Sequence, residues 1–241
     1  MVEARRHEKF AEVYEIVLED GSTHLATRNL AKGHSVYGER LIQADSEEYR
    51  VWDPYKSKLA GAILKGLPSL PILPSSRVLY LGAATGTTVS HVSDLVGTEG
   101  LVYAVEFSAR PVRELITNVA SLRENVYPLV ADARFPESYR SLLRSVDTIY
   151  CDVAQPEQAR ILADNADSFL KLKGEALLAV KARSIDSTRD PTKVFAQEAA
   201  TLKSRSFTVE KSITLRPYDR AHAMLLARYN PIGRREVNPT E

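Results

Sequence analysis

Apolar and polar positions change their rhythm twice along this chain. Residues 8 to 50 show no helical period; the pieces KFAEVYEIVLE and THLATRN read as strands, parted by the turn-forming triplet Asp20-Gly21-Ser22. This predicts a small antiparallel unit. At Trp52-Asp53-Pro54 the texture shifts: Asp53 before proline suits a helix start, and Leu59, Ala62 and Ile63 share one face, predicting a helix from about Pro54 to Leu64. The following GLPSLPILPSS carries three prolines and reads as a linker.

Beyond the linker, strand and helix patterns alternate. RVLYLG, LVYAVE, VYPLV, VDTIYCDV and EALLAVKA are short apolar runs, and TTVSHVSDLV, ARPVRELITNVASL, PESYRSLLR and PEQARILADNADSFL between them place apolar residues at helical spacing. Such alternation predicts an α/β fold with a mostly parallel sheet covered on both faces. After a further helix, PTKVFAQEAATLKSR, only RPYDRA separates FTVEKSITLR from HAMLLARY, too short for a parallel crossover, so an antiparallel hairpin closes the sheet. The expected division is a small β unit over 1–52, an α/β domain over 53–230 and a frayed tail over 231–241.

Composition narrows the picture. The chain has 241 residues, 44% apolar and 26% charged, enough for one globular core. Its single cysteine, Cys151, has no partner for a disulfide or a thiolate metal cluster, and His7, His24, His34 and His91 share no ligand spacing, so no metal is expected. The N-terminal MVEARRHEKF is charged where a signal peptide needs an apolar core, and no apolar run approaches the ~20 residues of a membrane span. A reducing, cytoplasmic setting without a membrane partner is expected. Charge is balanced at 32 basic against 31 acidic residues, unlike a freestanding nucleic-acid binder.

The strand ends carry the chemistry. Val78 to Leu81 runs into Gly82-Ala83-Ala84-Thr85-Gly86-Thr87-Thr88 and then a helix, so backbone N–H groups can approach a ligand at that helix N-terminus. The glycine spacing is not that of a dinucleotide fingerprint, and no P-loop lysine follows; the carboxylate of an amino-acid moiety suits the loop better. Glu106 ends the second strand, where an acid accepts from both ribose hydroxyls; Phe107 offers a ring to a purine, and Asp132 at the third strand end can accept from an exocyclic amine. Each residue alone has an ordinary explanation, whether tight turn, solvated acid or core ring. Their joint placement points to S-adenosylmethionine.

A second set stands close by in the pattern. Asp152 ends the fourth strand, Lys181 the fifth, His222 opens the last, and Lys58 lies on the helix before the linker. Charges that close apolar strands are costly if buried unpaired, so Asp152 and Lys181 are expected to pair or to face the cleft.

The runs EYRVWDPYKSKLAGAIL, VLYLGAATGTTVSHVSDLVG, GLVYAVEFS, DARFPESYR, CDVAQPEQ and KARSIDST resemble the fibrillarin family, RNA 2′-O-methyltransferases of box C/D ribonucleoproteins, and the resemblance extends to about Tyr229. The glycine- and arginine-rich extension of the eukaryotic members is absent, so the archaeal, non-nucleolar form is the better match. The resemblance implies a Rossmann-like S-adenosylmethionine-dependent methyltransferase sheet. It also implies cofactor contacts from Thr87, Thr88, Glu106, Phe107, Asp132, Ala133, Asp152, Val153, Ala154 and Gln155, beside Gly82 and Ala84 of the loop, and a catalytic set of Lys58, Asp152, Lys181 and His222. Lys58 fits the SKLAxAIL context, with Lys56 the alternative. The implied partners are a Nop-domain scaffold protein, a kink-turn-binding ribosomal-type protein, a box C/D guide RNA and target rRNA or tRNA.

The implied reaction is methyl transfer to a ribose 2′-hydroxyl. A neutral amine can take the hydroxyl proton, and a second cation nearby favours the neutral form. Lys181 is therefore expected as general base, with Lys58 as the neighbouring cation and Asp152 as the orienting acceptor. Two other readings fit the same residues: methylation of a small molecule or protein, and a non-catalytic subunit that binds cofactor to hold its shape.

Overall fold

The computed structural model describes residues 2–231, so most of the expected tail lies outside the described residues. Its twelve strands form two sheets. The smaller is antiparallel and contains β1 (Glu3–Arg6), β2 (Val13–Val17), β3 (Thr23–Arg28), β4 (Leu41–Ala44) and β5 (Glu47–Val51), in the order β1-β2-β3-β5-β4. The Asp20-Gly21-Ser22 turn joins β2 to β3, with the Asp20 carboxylate accepting from the Ser22 amide at 2.9 Å. The sequence reading missed β1, β4 and β5. EARR and EEYRV are rich in polar residues and LIQA is only four residues long, so neighbouring strands rather than local pattern hold them extended.

The first helix, α1 (Lys58–Leu64), starts four residues later than the sequence predicts. Asp53 spends its capping capacity on a turn of its own: its carboxylate accepts from the Tyr55 amide and its carbonyl from the Lys56 and Ser57 amides. Ser57, in extended backbone at φ −132°, then caps α1 through Oγ, which accepts from the Ala60 amide.

The larger sheet is built from β6 (Arg77–Leu81), β7 (Leu101–Glu106), β8 (Val126–Val130), β9 (Val146–Cys151), β10 (Leu170–Lys181), β11 (Phe207–Thr214) and β12 (His222–Tyr229). Their order is β11-β12-β10-β9-β6-β7-β8, with β12 antiparallel to both neighbours and the remaining pairs parallel. The expected closing hairpin is β11–β12. The helices are α2 (Thr87–Val96), α3 (Ala109–Asn118), α4 (Gln158–Phe169), the unanticipated short α5 (Ala182–Ile185) and α6 (Pro191–Ser204). PESYRSL winds as a 3₁₀ helix instead of the expected α-helix; Tyr139 is its buried residue and donates its hydroxyl to Asn165 of α4. Among the described residues, no helix is long and apolar enough to cross a membrane.

Period-two alternation sends Leu79 and Leu81 of β6 into one core and Val78 and Tyr80 into the other. The second core also takes in Phe10, Val13, Leu25 and Trp52, so the small sheet is packed onto the large one through shared apolar side chains. A buried ionic network reinforces that junction. Arg50 of β5 donates Nε to Glu39 (2.7 Å), one terminal nitrogen to Asp94 of α2 (2.9 Å) and the other to Ser90 (2.8 Å). Arg123 donates to Asp94 at 2.5 Å and to Asn29 at 3.0 Å. His91 is hydrogen-bonded at one ring nitrogen to Thr27 of β3 and at the other to Tyr37. Burial, reinforced by the two arginines, pulls its pKa well below 6.5 and keeps it neutral.

Strand order reverses between β6 and β9, the switch point beside which open α/β sheets bind ligands at their carboxyl ends. There the loops that follow β6, β7, β9 and β10 converge.

Candidate active site

The loop after β6 is shaped by left-handed backbone at Gly82 (φ +82°), Ala84 (φ +48°) and Gly86 (φ +94°). A Cβ on Gly82 would stand 2.7 Å from the Asp152 carbonyl oxygen, so the loops after β6 and β9 meet backbone to backbone. A Cβ on Gly86 would reach to within 2.5 Å of Val119, where the chain leaves α3. Only glycine satisfies both the conformation and the space at these positions.

Glu106, the last residue of β7, is buried, and its two oxygens accept from the Ala84 amide (3.0 Å) and the Ser108 amide (2.8 Å). Each retains a second lone pair for another donor. The adjoining cleft has a volume of about 420 Å³ and is lined by Gly82, Ala84, Glu106, Phe107, Ala133, Asp152, Val153, Ala154, Gln155 and Lys181, all anticipated from sequence. Val105, Ser108, Pro111 and Ala131 line it as well and were not anticipated; the signal was their position within five residues of the acids Glu106 and Asp132. Phe107 is 57% exposed, so it serves the cleft edge and not the core. The side-chain oxygen of Gln155 is buried with no hydrogen-bond partner among the described residues, a vacancy suited to a ligand donor.

Thr87, Thr88 and Asp132 are not among the residues lining this cleft. The Thr87 carbonyl accepts from Ser90, while Thr88 is buried and donates its hydroxyl to Ser57 at 3.0 Å. The Asp132 carboxylate is taken by Arg134, which reaches back two residues with its guanidinium (2.6 Å) and its amide (2.9 Å) and lowers the carboxyl pKa. An acid at a strand end is visible in sequence; the arginine that occupies it declares itself only in three dimensions.

Beside the cleft, Asp152 bridges two lysines. Lys58, first residue of α1, holds Nζ 3.2 Å from the carboxylate. Lys181, last residue of β10, donates to the Asp152 carbonyl at 2.7 Å and lies 2.9 Å from Oδ1. His222 faces Lys181 across the β10–β12 register and pairs through Nδ1 with Asp219 at 2.5 Å. Burial lowers its pKa, and Asp219 opposes that shift. Lys56 lies outside the cluster, its Nζ 5.3 Å above the Tyr37 ring, so of the two candidate lysines Lys58 is the one at Asp152. Four elements thus deliver two cations, one carboxylate and one imidazole to the mouth of a partly apolar cleft, a set able to hold a hydroxyl and take its proton.

The Fibrillarin family model matches residues 4–231. The chain is 54% identical over 229 residues to the fibrillarin-like rRNA/tRNA 2′-O-methyltransferase of Staphylothermus marinus, covering 95% of this chain and 97% of that one. Among solved structures it is similar to Aeropyrum pernix fibrillarin with natively bound S-adenosyl-L-methionine, at TM-score 0.88 and 49% identity over 94% of this chain and 99% of that one. It is also similar to a chain of a fibrillarin/Nop5p complex, at TM-score 0.81 and 43% identity over 93% of this chain and 100% of that one.

Proposed function

Because the chain belongs to the fibrillarin family, we propose that it is an S-adenosylmethionine-dependent methyltransferase acting on ribose 2′-hydroxyls of rRNA and tRNA. The observation that carries this reading is the Lys58–Asp152–Lys181 cluster at the edge of the cleft. The cleft fits the cofactor chemically: Glu106 has acceptor capacity for ribose hydroxyls, Phe107 and Pro111 offer apolar surface to the base, the Gly82–Ala84 loop suits the amino-acid end, and the unpartnered Gln155 oxygen can accept a donor. When bound, S-adenosylmethionine supplies a methyl group activated by its sulfonium.

The protein's part is orientation and proton transfer. With the cofactor held by the cleft residues, Lys181 would accept the proton that the ribose hydroxyl gives up as it attacks the methyl group the cofactor supplies. Lys58 steadies negative charge on that oxygen, and Asp152 fixes both nitrogens. Positioning of this kind can contribute more than base strength. His222, held by Asp219, completes the wall behind Lys181.

Site choice comes from partners. Affinity for a phosphate backbone grows with the phosphates neutralised, and a chain of net charge +1 neutralises few. The proposed assembly has a Nop-domain scaffold, in keeping with the Nop5p complex of a relative, together with a kink-turn-binding protein and a box C/D guide in the cytoplasm. The test is methyl transfer from labelled cofactor to guide-paired RNA, omitting each partner in turn. Site-specific methylation by the full assembly is expected; efficient methylation of one defined ribose by the chain alone would overturn the need for partners, and none in any combination would overturn the activity.

A further inference from the structure

The two strands that flank β10 do not accompany it equally far. On one side β12 stays paired to the last residue, where Lys181 faces His222. On the other side pairing with β9 stops at Leu178 opposite Cys151, and the next residue, Asp152, gives its amide to the Leu81 carbonyl of β6. Just past Lys181, the Ala182 amide donates to the Ala221 carbonyl at 3.1 Å. Backbone groups along an antiparallel ladder alternate sides, so Lys181 turns its own N–H and C=O away from β12, toward the side that β9 has left. A side chain takes the place of the missing strand. The Lys181 amide donates to Gln158 Oε1 at 2.8 Å, and Gln158 Nε2 donates to the Lys181 carbonyl at 3.3 Å. A carboxamide carries the same donor and acceptor as a peptide group, so one side chain answers both.

Gln158 is itself firmly placed. It is fully buried, opens α4 and does not line the cleft. The N-cap residue Glu157 makes no side-chain cap bond; the Ala159 amide donates instead to the buried carboxylate of Glu198 in α6 at 2.8 Å, which holds the start of α4 from outside. Beyond Lys181 the chain leaves the sheet at once for the short α5. The paired bonds to Gln158 therefore fix the Lys181 backbone on the side that has no strand, and from that backbone Nζ reaches the Asp152 carbonyl at 2.7 Å and Oδ1 at 2.9 Å. We infer that Gln158 is a positioning residue for Lys181, acting on methyl transfer through the backbone from which the amine reaches Asp152. This rests on the function proposed above.

The experiment compares Gln158→Met and Lys181→Met, singly and together, in the complete assembly with scaffold and guide RNA, reading cofactor affinity by calorimetry and methyl transfer in single turnovers across RNA concentrations. Gln158→Met keeps the length of the side chain and removes both hydrogen bonds. It should leave the cofactor Kd and the RNA concentration for half-maximal rate within about twofold and slow the saturated rate about tenfold, because a misplaced reacting group loses rate before it loses binding. In the Lys181→Met background the same substitution should change the residual rate by less than about twofold, since its effect runs through an amine no longer there. Where Gln158→Met does not fold, Gln158→Asn, whose carboxamide stops one methylene short, carries the same expectations. Weaker cofactor or RNA binding in step with rate, the full loss repeated on top of Lys181→Met, or an unchanged rate each overturns the inference. A crystal structure of the variant reads the link without turnover: Lys181 Nζ should retreat beyond about 4 Å from the Asp152 carboxylate. A retained contact overturns the inference even if the wild-type assembly proves inactive, a result that bears instead on the proposed function.

Discussion

At the junction of the two sheets Arg50, Glu39 and Asp94 have 0% exposed side chains, while at the cleft Lys58, Asp152 and Lys181 keep 23%, 12% and 18%. The junction uses arginines. Their planar forks engage several acceptors at once, and they do not give up a proton. Asp94 there accepts from Arg50, Arg123, Thr27 and the Leu30 amide, which fills its lone-pair capacity. The cleft uses lysines, point charges that can exchange a proton, and both converge on one carboxylate with donor capacity left over. A carboxylate saturated with donors locks position; one with capacity left keeps valences for a substrate.

The comparison can be broken at its strongest point by removing Arg50. Arg50→Ala leaves Glu39 and Asp94 buried with a lost partner, and unfolding free energy in denaturant should fall by about 3–5 kcal/mol. The folded fraction should retain its methyl-transfer rate; a loss under about 1 kcal/mol would mean that Arg50 is not the partner that Glu39 and Asp94 depend on. At the other cluster the expected effects reverse. Lys181→Met keeps the stem and should slow single-turnover transfer by roughly 10² or more with cofactor affinity nearly intact, and a rate near wild type removes Lys181 from the chemistry. Glu106→Ala deprives the cleft of a charged acceptor worth roughly 1.5–3 kcal/mol, so calorimetry should show cofactor affinity at least tenfold weaker.

The smallest effect sharpens the junction through pH. His91 is neutral in the fold because burial holds its pKa well below 6.5, a value the unfolded chain regains. The unfolded state therefore binds the extra proton, and stability is full above pH 6.5 and declines below it by up to about 1.4 kcal/mol per pH unit. The difference in unfolding free energy between wild type and His91→Gln should be flat from about pH 8 to 7 and shrink as pH falls from about 6.5 to 5.5. A difference that stays constant over the whole range would place the titration elsewhere.

The cleft cluster was legible in sequence because each member closes or opens an apolar run: β7 ends on Glu106, β10 ends on Lys181 and β12 begins with His222. The boundary between apolar run and charge marks the carboxyl edge of the sheet, where such folds place their chemistry. The junction cluster had no such mark. Arg50, Asp94 and Arg123 sit in segments that read as ordinary solvated charge, and only the packing of β3 and β5 on α2 removes them from water. Thr88 shows a further limit: family resemblance locates the residue, but which neighbour its hydroxyl serves depends on a helix start that the sequence places four residues too early.

One residue before Asp152, Cys151 is fully buried in the middle of the large sheet, and burial pushes its thiol pKa up to about 12. At neutral pH only about one molecule in 10⁵ carries the reactive thiolate, and reagents cannot touch it while β9 stays paired with β6 and β10. As the sole cysteine of the chain, it is a native stopwatch for opening of the sheet: alkylation rates measured with and without cofactor read the lifetime of the closed sheet directly. It also leaves the surface free for thiol-directed dyes, since a cysteine introduced on any exposed face of this protein would react without competition from the one already there.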